Sequence, residues 1–178
     1  LLVAVPQARL AVCGKEKFGS KLPNYLSVTV LQAQLAVCGG IKMNILVVDA
    51  QGGGIGKQLI SSMKQSISSA AIWAVGTNVT ATTAMLKAGA DQDATGENAV
   101  VVAARKADVI VGPVGIVIAD SLFGEITPVM AKAIAQSDAK RVFIPFNHCD
   151  NIIVGVSSYS TGKLIQEAVE QVRKLCQE

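Results

Sequence analysis

From Met43 onward, short β-branched runs alternate with stretches in which apolar residues return every three or four positions. Ile45–Val48 predicts a first strand, and Ile55, Leu59, Ile60, Met63 and Ile67 then fall on one helical stripe. Ile72–Val75 predicts a second strand ended by Gly76, followed by a helix from Asn78 or Val79 to about Lys87, where Ala88-Gly89-Ala90 stops it. Thr95 is placed to cap a further short helix, with Glu97 in its first turn near the positive end of the dipole. Val109–Val111 predicts a third strand, broken by Gly112-Pro113-Val114-Gly115, while Ile116–Leu122 fits a strand or a buried helix equally well. Thr127-Pro128 is a helix start, a capping hydroxyl followed by proline at the first helical position. Val142–Ile144 and the shorter Ile152–Val154 predict the last two strands. Ser160 begins a final helix that buries Leu164, Ile165, Ala168, Val169, Val172 and Leu175. Apolar strands alternating with amphipathic helices predict a small doubly wound α/β domain of three layers, its mainly parallel sheet of about five strands covered on both faces.

Composition narrows the classes of function. Of 178 residues, 51% are hydrophobic and 16% charged, enough apolar surface for one substantial core and too much for a disordered chain. No run of about 18 apolar residues is free of charge or strong polarity, so no membrane partner is expected. The net charge of +3 is unevenly placed. Arg9, Lys15, Lys17, Lys21 and Lys42 against Glu16 give residues 1–42 a balance of +4, and the remaining 11 basic and 12 acidic residues give −1. A nearly neutral body has no electrostatic footprint for nucleic acid.

The first 42 residues differ from the rest in pattern too. Gln7-Ala8-Arg9-Leu10-Ala11-Val12-Cys13-Gly14 recurs as Gln32-Ala33-Gln34-Leu35-Ala36-Val37-Cys38-Gly39, two copies where a stacked repeat needs about three. Met43 is the first methionine and leads directly into the first strand. The expectation is a non-native or disordered extension over 1–42, from translated upstream sequence, and a single domain over 43–178. Leu10–Cys13 and Leu35–Cys38 loosely resemble a lipoprotein cleavage box, but valine precedes each cysteine and no proper charged and apolar leader surrounds them. A cytoplasmic location is therefore expected. Cys149 and Cys176, the body's two cysteines, lack a CxxC spacing and are expected to be reduced.

Parallel sheets place ligands at the carboxyl ends of their strands. The first strand runs into Asp49-Ala50-Gln51-Gly52-Gly53-Gly54-Ile55-Gly56-Lys57, the second into Gly76-Thr77-Asn78, the third into Gly112-Pro113-Val114-Gly115 and the next into Pro145-Phe146-Asn147-His148. Glycines permit close backbone approach, and a helix opening near Gly54 aims free amides at the same place. A dinucleotide G-x-G-x-x-G set on Gly52 and Gly54 meets Lys57 where the third glycine belongs, and Gly76-Thr77-Asn78 lacks the acid that holds a ribose. Thr77 or Asn78 could stand in for it. Gly53-Gly54-Ile55-Gly56-Lys57 resembles part of a Walker loop, but Gln58 replaces the magnesium-binding hydroxyl. Gly54-Ile55-Gly56 and Tyr159-Ser160-Thr161-Gly162-Lys163 resemble pieces of a short-chain dehydrogenase, without its NNAG segment or its later strands.

Other chemistry is scarce. His148 is the one histidine, and with Cys149 and Asp150 it has no second cluster to complete a metal site, so none is expected. Asp49 reads as a turn-stabilising carboxylate, and Asp120, if buried, needs a donor such as Ser121 or a loop amide.

The stretches NILVVDAQGGGIGK, AVGTNVTATTAMLKAGAD, ATGENAVVV, ADVIVGPVGIVIADSLFGEITPVMA and IPFNHCDNIIVGV resemble, in order, a family of small bacterial proteins known as domain of unknown function family 3842. The resemblance covers nearly all of 43–178 and implies a Rossmann-like fold without naming a reaction. It carries forward Gly52, Gly53, Gly54, Gly56, Lys57, Thr77, Asn78, Gly112, Pro113, Gly115 and Asn147, and all but Lys57 also lie in the loops singled out above. The leading expectation is binding of a nucleotide or other phosphorylated or anionic small molecule. The Gly52–Gly56 amides and Lys57 would hold the anion, and Thr77, Asn78 and Asn147 would orient the rest. Two alternatives stay open: a reductase or epimerase-type enzyme using NAD(P), and an oligomeric interaction subunit, such as a homodimer formed through 116–130.

Overall fold

A computed structural model describes residues 42–145, 153 and 160–177. In chain order its elements are β1 (Met43–Asp49), α1 (Gly54–Ser66), β2 (Ala70–Gly76), α2 (Val79–Lys87), β3 (Gln92–Thr95), α3 (Glu97–Ala104), β4 (Val109–Pro113), a 3-10 turn (Val114–Val117), α4 (Pro128–Ala135), β5 (Lys140–Ile144) and α5 (Thr161–Leu175). The five strands form one parallel sheet in the order β3-β2-β1-β4-β5. The fold is thus the doubly wound α/β class that the alternation of patterns predicts.

The central strand shows why. Ile45, Leu46, Val47 and Val48 are all buried, because alternate side chains serve two separate cores. Ile45 and Val47 pack with Leu59, Ile60 and Met63 of α1, Met85 of α2 and Ile165 and Val172 of α5. Leu46 and Val48 pack with Val100 of α3 and Met130 and Ile134 of α4. Each such side chain contributes about 1.5–3 kcal/mol when fully buried. The chain winds from β1 through β2 to β3, then crosses by α3 to β4 on the other side of β1. The carboxyl ends of β1 and β4 therefore flank the point where the winding reverses, which is where such sheets open a crevice.

Several local expectations need correction. Gln92–Thr95 is a strand without an apolar pattern; it is an exposed edge, recruited by backbone pairing of Trp73 through Gly76 with Gln92 through Thr95. Thr95 consequently ends β3 instead of capping α3, and Gly96 takes the cap position at φ 96°. Glu97 does stand in the first turn of α3, where it accepts the Thr127 hydroxyl at 2.5 Å. Gly112 and Pro113 do not break β4 but complete it, paired with Phe143 and Ile144 of β5, and the glycine is needed for fit, since a side chain there would collide with the Val48 carbonyl in the neighbouring strand. Residues 116–122 are neither strand nor α-helix: the 3-10 turn passes into a loop. The expected strand at Ile152–Val154 lies outside the described residues except for Ile153, which belongs to no element.

The cap expected at Thr127 is present: it accepts the Met130 amide at 3.2 Å at the start of α4. Asn78 stands just before α2 and caps it, accepting the Ala81 amide at 2.9 Å.

Candidate functional site

Asp49 closes β1 and looks directly into the start of α1. Its carboxylate accepts the Ala50 amide at 2.8 Å and the Gly56 amide at 2.7 Å, and the residue is only 4% exposed. Burial pushes its carboxyl above the usual range, against the pull of the Gly56 and Ala50 amides. Part of the positive end of α1 is thereby matched by a charge from the protein itself.

The glycines of the following loop divide into two kinds. Gly53 turns the chain at φ 66°, and a Cβ there would lie 2.7 Å from the backbone of Ala81. Gly56 is packed against Asp49 and Met85, so both positions exclude a side chain. Gly52 and Gly54 are different: both are exposed, with open space where a Cβ would stand. The Gly53 amide returns to the Ala50 carbonyl at 3.0 Å, whereas the Gly52 and Gly54 amides meet no acceptor among the described residues.

The loop after β4 forms an opposite wall by other means. Asp120, Leu122, Phe123 and Gly124 all have positive φ, at 60°, 56°, 59° and 79°. Leu122 and Phe123 are bulky residues in a conformation that costs each roughly 1–2 kcal/mol. Internal bonds hold it: Asp120 donates its amide to Ile126 at 2.8 Å, and the buried Ser121 hydroxyl donates to the Gly115 carbonyl at 2.5 Å. Ile126 anchors the end of the loop in the core.

Glu125 ties this loop to the other strand ends. One carboxylate oxygen, Oε2, accepts the Gln51 amide at 2.9 Å, the Asn78 side-chain amide at 2.8 Å and the Thr77 hydroxyl. Partial burial opposes its charge, but the bonds from Thr77, Gln51 and Asn78 outweigh that and hold its carboxyl below the usual glutamate range. Asn78 also donates to the Gln51 carbonyl at 3.0 Å. Sequence reasoning missed Glu125. Its available signal was an acid between Gly124 and the helix start at Thr127-Pro128, in a strand-end connection.

Between the two walls lies a cavity of about 880 Å³, within the range of about 300–1,000 Å³ usual for small-ligand sites. Asp49–Ile55 and Gln58 line one side, Ile118–Phe123 the other, with Pro113 and Thr161 between. Thr161 is the first residue of α5, so two helices present their N-termini here. Neither Gly53 nor Ser160 supplies a side-chain cap, and neither first turn contains an acid. The α2 and α4 starts, away from the cavity lining, have their caps in Asn78 and Thr127.

Of the positions singled out in the sequence, Gly52, Gly53, Gly54 and Pro113 line this cavity. Gly56 supports it from behind, Gly112 lies in the sheet beneath, and the Gly115 carbonyl pins Ser121. Thr77 and Asn78 turn to Glu125 and are not part of the lining. Lys57 is exposed on the first turn of α1 and is likewise outside the lining. Asn147, His148, Cys149, Asp150 and Tyr159 lie outside the described residues. Asp120 is exposed, so it needs no buried partner. Among the described residues no cluster of three or more His, Cys, Asp or Glu could hold a metal, and no helix is long and apolar enough to cross a membrane.

These features define a doubly wound α/β domain with a ligand-sized cavity at the reversal of its sheet. The chain belongs to the family described as domain of unknown function DUF3842, whose model matches residues 44–177. No curated protein matches it. Among solved structures it is similar to a dodecameric FMN-dependent UbiX-like decarboxylase from Escherichia coli O157:H7, at 14% identity and a TM-score of 0.37, over 75% of this chain and 76% of that one.

Proposed function

We propose that the domain binds a phosphorylated or otherwise anionic small molecule, nucleotides included, in the cavity between the β1 and β4 loops. The observation that carries this reading is the convergence of two helix N-termini on one cavity, neither capped by its own first flanking residue, with Asp49 taking only part of the α1 start. Each start offers amides that meet no acceptor among the described residues, and a partial positive charge worth about 0.3–1 kcal/mol to an anion at a surface and up to about 2 kcal/mol when partly buried. Asp49 takes the Gly56 amide, so the anion falls to the front of the loop, on Gly52 and Gly54. Lys57 adds a charge nearby without touching the ligand. Thr77 and Asn78 support the site indirectly, through Glu125 and Gln51.

Thermal unfolding of the full chain against phosphate, nucleotides, dinucleotides and phosphorylated metabolites tests this reading, with Gly54→Val alongside. A ligand at 100 times its dissociation constant stabilises the fold by about 2.7 kcal/mol, a shift of several degrees. Because a Cβ at Gly54 meets open space, the variant keeps its fold while filling the front of the loop. A selective shift in the parent that disappears in Gly54→Val supports the site. A flat panel from well-folded parent protein overturns it.

A further inference from the structure

We infer that the ligand is of the mononucleotide class, with its phosphate on the Gly52 and Gly54 amides and its planar ring against Ile118, Leu122 and Phe123. This inference rests on the anion-binding reading above and adds the other half of the molecule. Phe123 is 96% exposed, the most exposed large hydrophobic side chain among the described residues, and it lines the cavity. The backbone holds it there at φ 59°, beside Leu122 at 56°, in a conformation that bulky residues avoid. The loop is not slack: Gly124 donates to the Asp120 carbonyl at 3.2 Å, and Glu125 fixes its far end to Gln51 and Asn78. A pinned loop thus holds an aromatic side chain at the border of a cavity whose opposite wall carries amides that meet no acceptor among the described residues. An aromatic face is a stacking platform for a planar ring, and base–aromatic stacking is indifferent to which base is used.

Two neighbouring ligand classes fit less well. A phosphorylated sugar can use the polar lining at Gln51, Gln58, Asp120 and Thr161, but it has no planar ring to cover Ile118, Leu122 and Phe123. A dinucleotide would extend towards the end of β2, where the Thr77 hydroxyl and the Asn78 amide are already committed to Glu125 and lie outside the lining.

Calorimetric titration of the full chain tests the assignment, using inorganic phosphate, ribose 5-phosphate, NAD and the purine, pyrimidine and flavin 5′-mononucleotides. The best mononucleotide is expected to bind at least about tenfold tighter than ribose 5-phosphate, or about 1.4 kcal/mol. Phe123→Ala should remove that margin without moving the thermal midpoint, and Phe123→Tyr should retain it. A margin that is absent, or that survives in Phe123→Ala, overturns the inference while leaving the anion site standing. NAD binding tighter than every mononucleotide also overturns it. So does a Phe123→Ala variant that changes only the oligomeric state, which would make the ring a contact between copies. Failure of every probe, phosphate included, overturns the anion site itself.

Discussion

The loop after β1 turns on Gln51 at φ 53° and Gly53 at φ 66°, whereas the loop after β4 turns on Leu122 and Phe123 at nearly the same angles, without a glycine between them. Both border the same cavity, yet their shapes have different origins. Around Gly53 the cause is local: a side chain there would strike the Ala81 backbone, and glycine alone adopts the angle freely. Around Phe123 the loop's internal bonds are joined by distant ones, since Glu125 grips Gln51, Thr77 and Asn78, the last two 48 and 47 residues away in sequence. One loop is specified by what it lacks, and the other by what holds it. A substitution should therefore act at its own site in the first and through remote partners in the second.

The largest expected effect comes from Gly53→Ala. It places a β-carbon 2.7 Å from the Ala81 backbone at a positive φ, and left-handed strain plus overpacking should cost about 2–4 kcal/mol. Urea unfolding should show an earlier midpoint with an unchanged slope. Phe123→Ala, at a similar φ but without a clash or a lost glycine, should lie within about 0.5 kcal/mol of the parent. Equal costs at the two positions would erase the distinction between the loops.

Next in size is Glu125→Ala. It strips the acceptor from Gln51, Thr77 and Asn78, and should cost about 1–3 kcal/mol, the scale of hydrogen bonds to a charged group. Because these donors sit on the β1 and β2 ends, the loss should also reduce any stabilisation by ligand. A variant as stable as the parent would mean that the β4 loop holds its shape unaided.

This contrast also explains what was legible in the sequence. Periodicity located β1, β2 and β4 because buried strands must be apolar on both faces, and found the edge strand β5 only by its apolar end Val142–Ile144; Thr127-Pro128 marked α4 by local chemistry. The glycine loop was visible for the same reason, since a glycine run reports its own backbone freedom. Polar Gln92–Thr95 was not visible as a strand, because its pairing with β2 is a backbone property of the assembled sheet. Nor could Glu125 be found from spacing, because its partners come together only when β1, β2 and β4 are aligned. Leu122 and Phe123 argue locally against the very angles they adopt. Gly52 and Gly56 look alike in sequence, and only packing separates an open glycine from a buried one.

Acidity gives a finer test, because the two carboxylates shift in opposite directions. Burial holds the Asp49 carboxyl above its ordinary value, so the parent loses stability as pH rises from that value through the folded one. The gap between parent and Asp49→Asn should accordingly narrow with rising pH across that window. Glu125 is held below its ordinary value by Thr77, Gln51 and Asn78, which outweigh its partial burial. Its contribution is present above the ordinary value and is lost as pH falls through the folded one. The gap between parent and Glu125→Gln should therefore narrow with falling pH. Thermal midpoints measured from pH 3 to 8 would expose both slopes, and slopes of the same sign would contradict the assignment.

The smallest expected change in stability, at Gly54→Ala, is also the most discriminating. Gly54 follows Gly53 directly, but it has helical geometry at the start of α1 and open space beyond its α-carbon. Alanine there removes freedom from the unfolded chain and favours the helix, so the variant should be neutral or more stable by up to about 1 kcal/mol. Adjacent glycines should thus respond with opposite signs. If Gly54→Ala instead costs as much as Gly53→Ala, the loop is a packing device along its whole length, and its front is not the open, amide-bearing surface that an anion needs. A neutral Gly54→Ala, together with a Gly54→Val that folds but no longer responds to ligand, would divide the loop between Gly53, which shapes it, and Gly54, which meets the ligand.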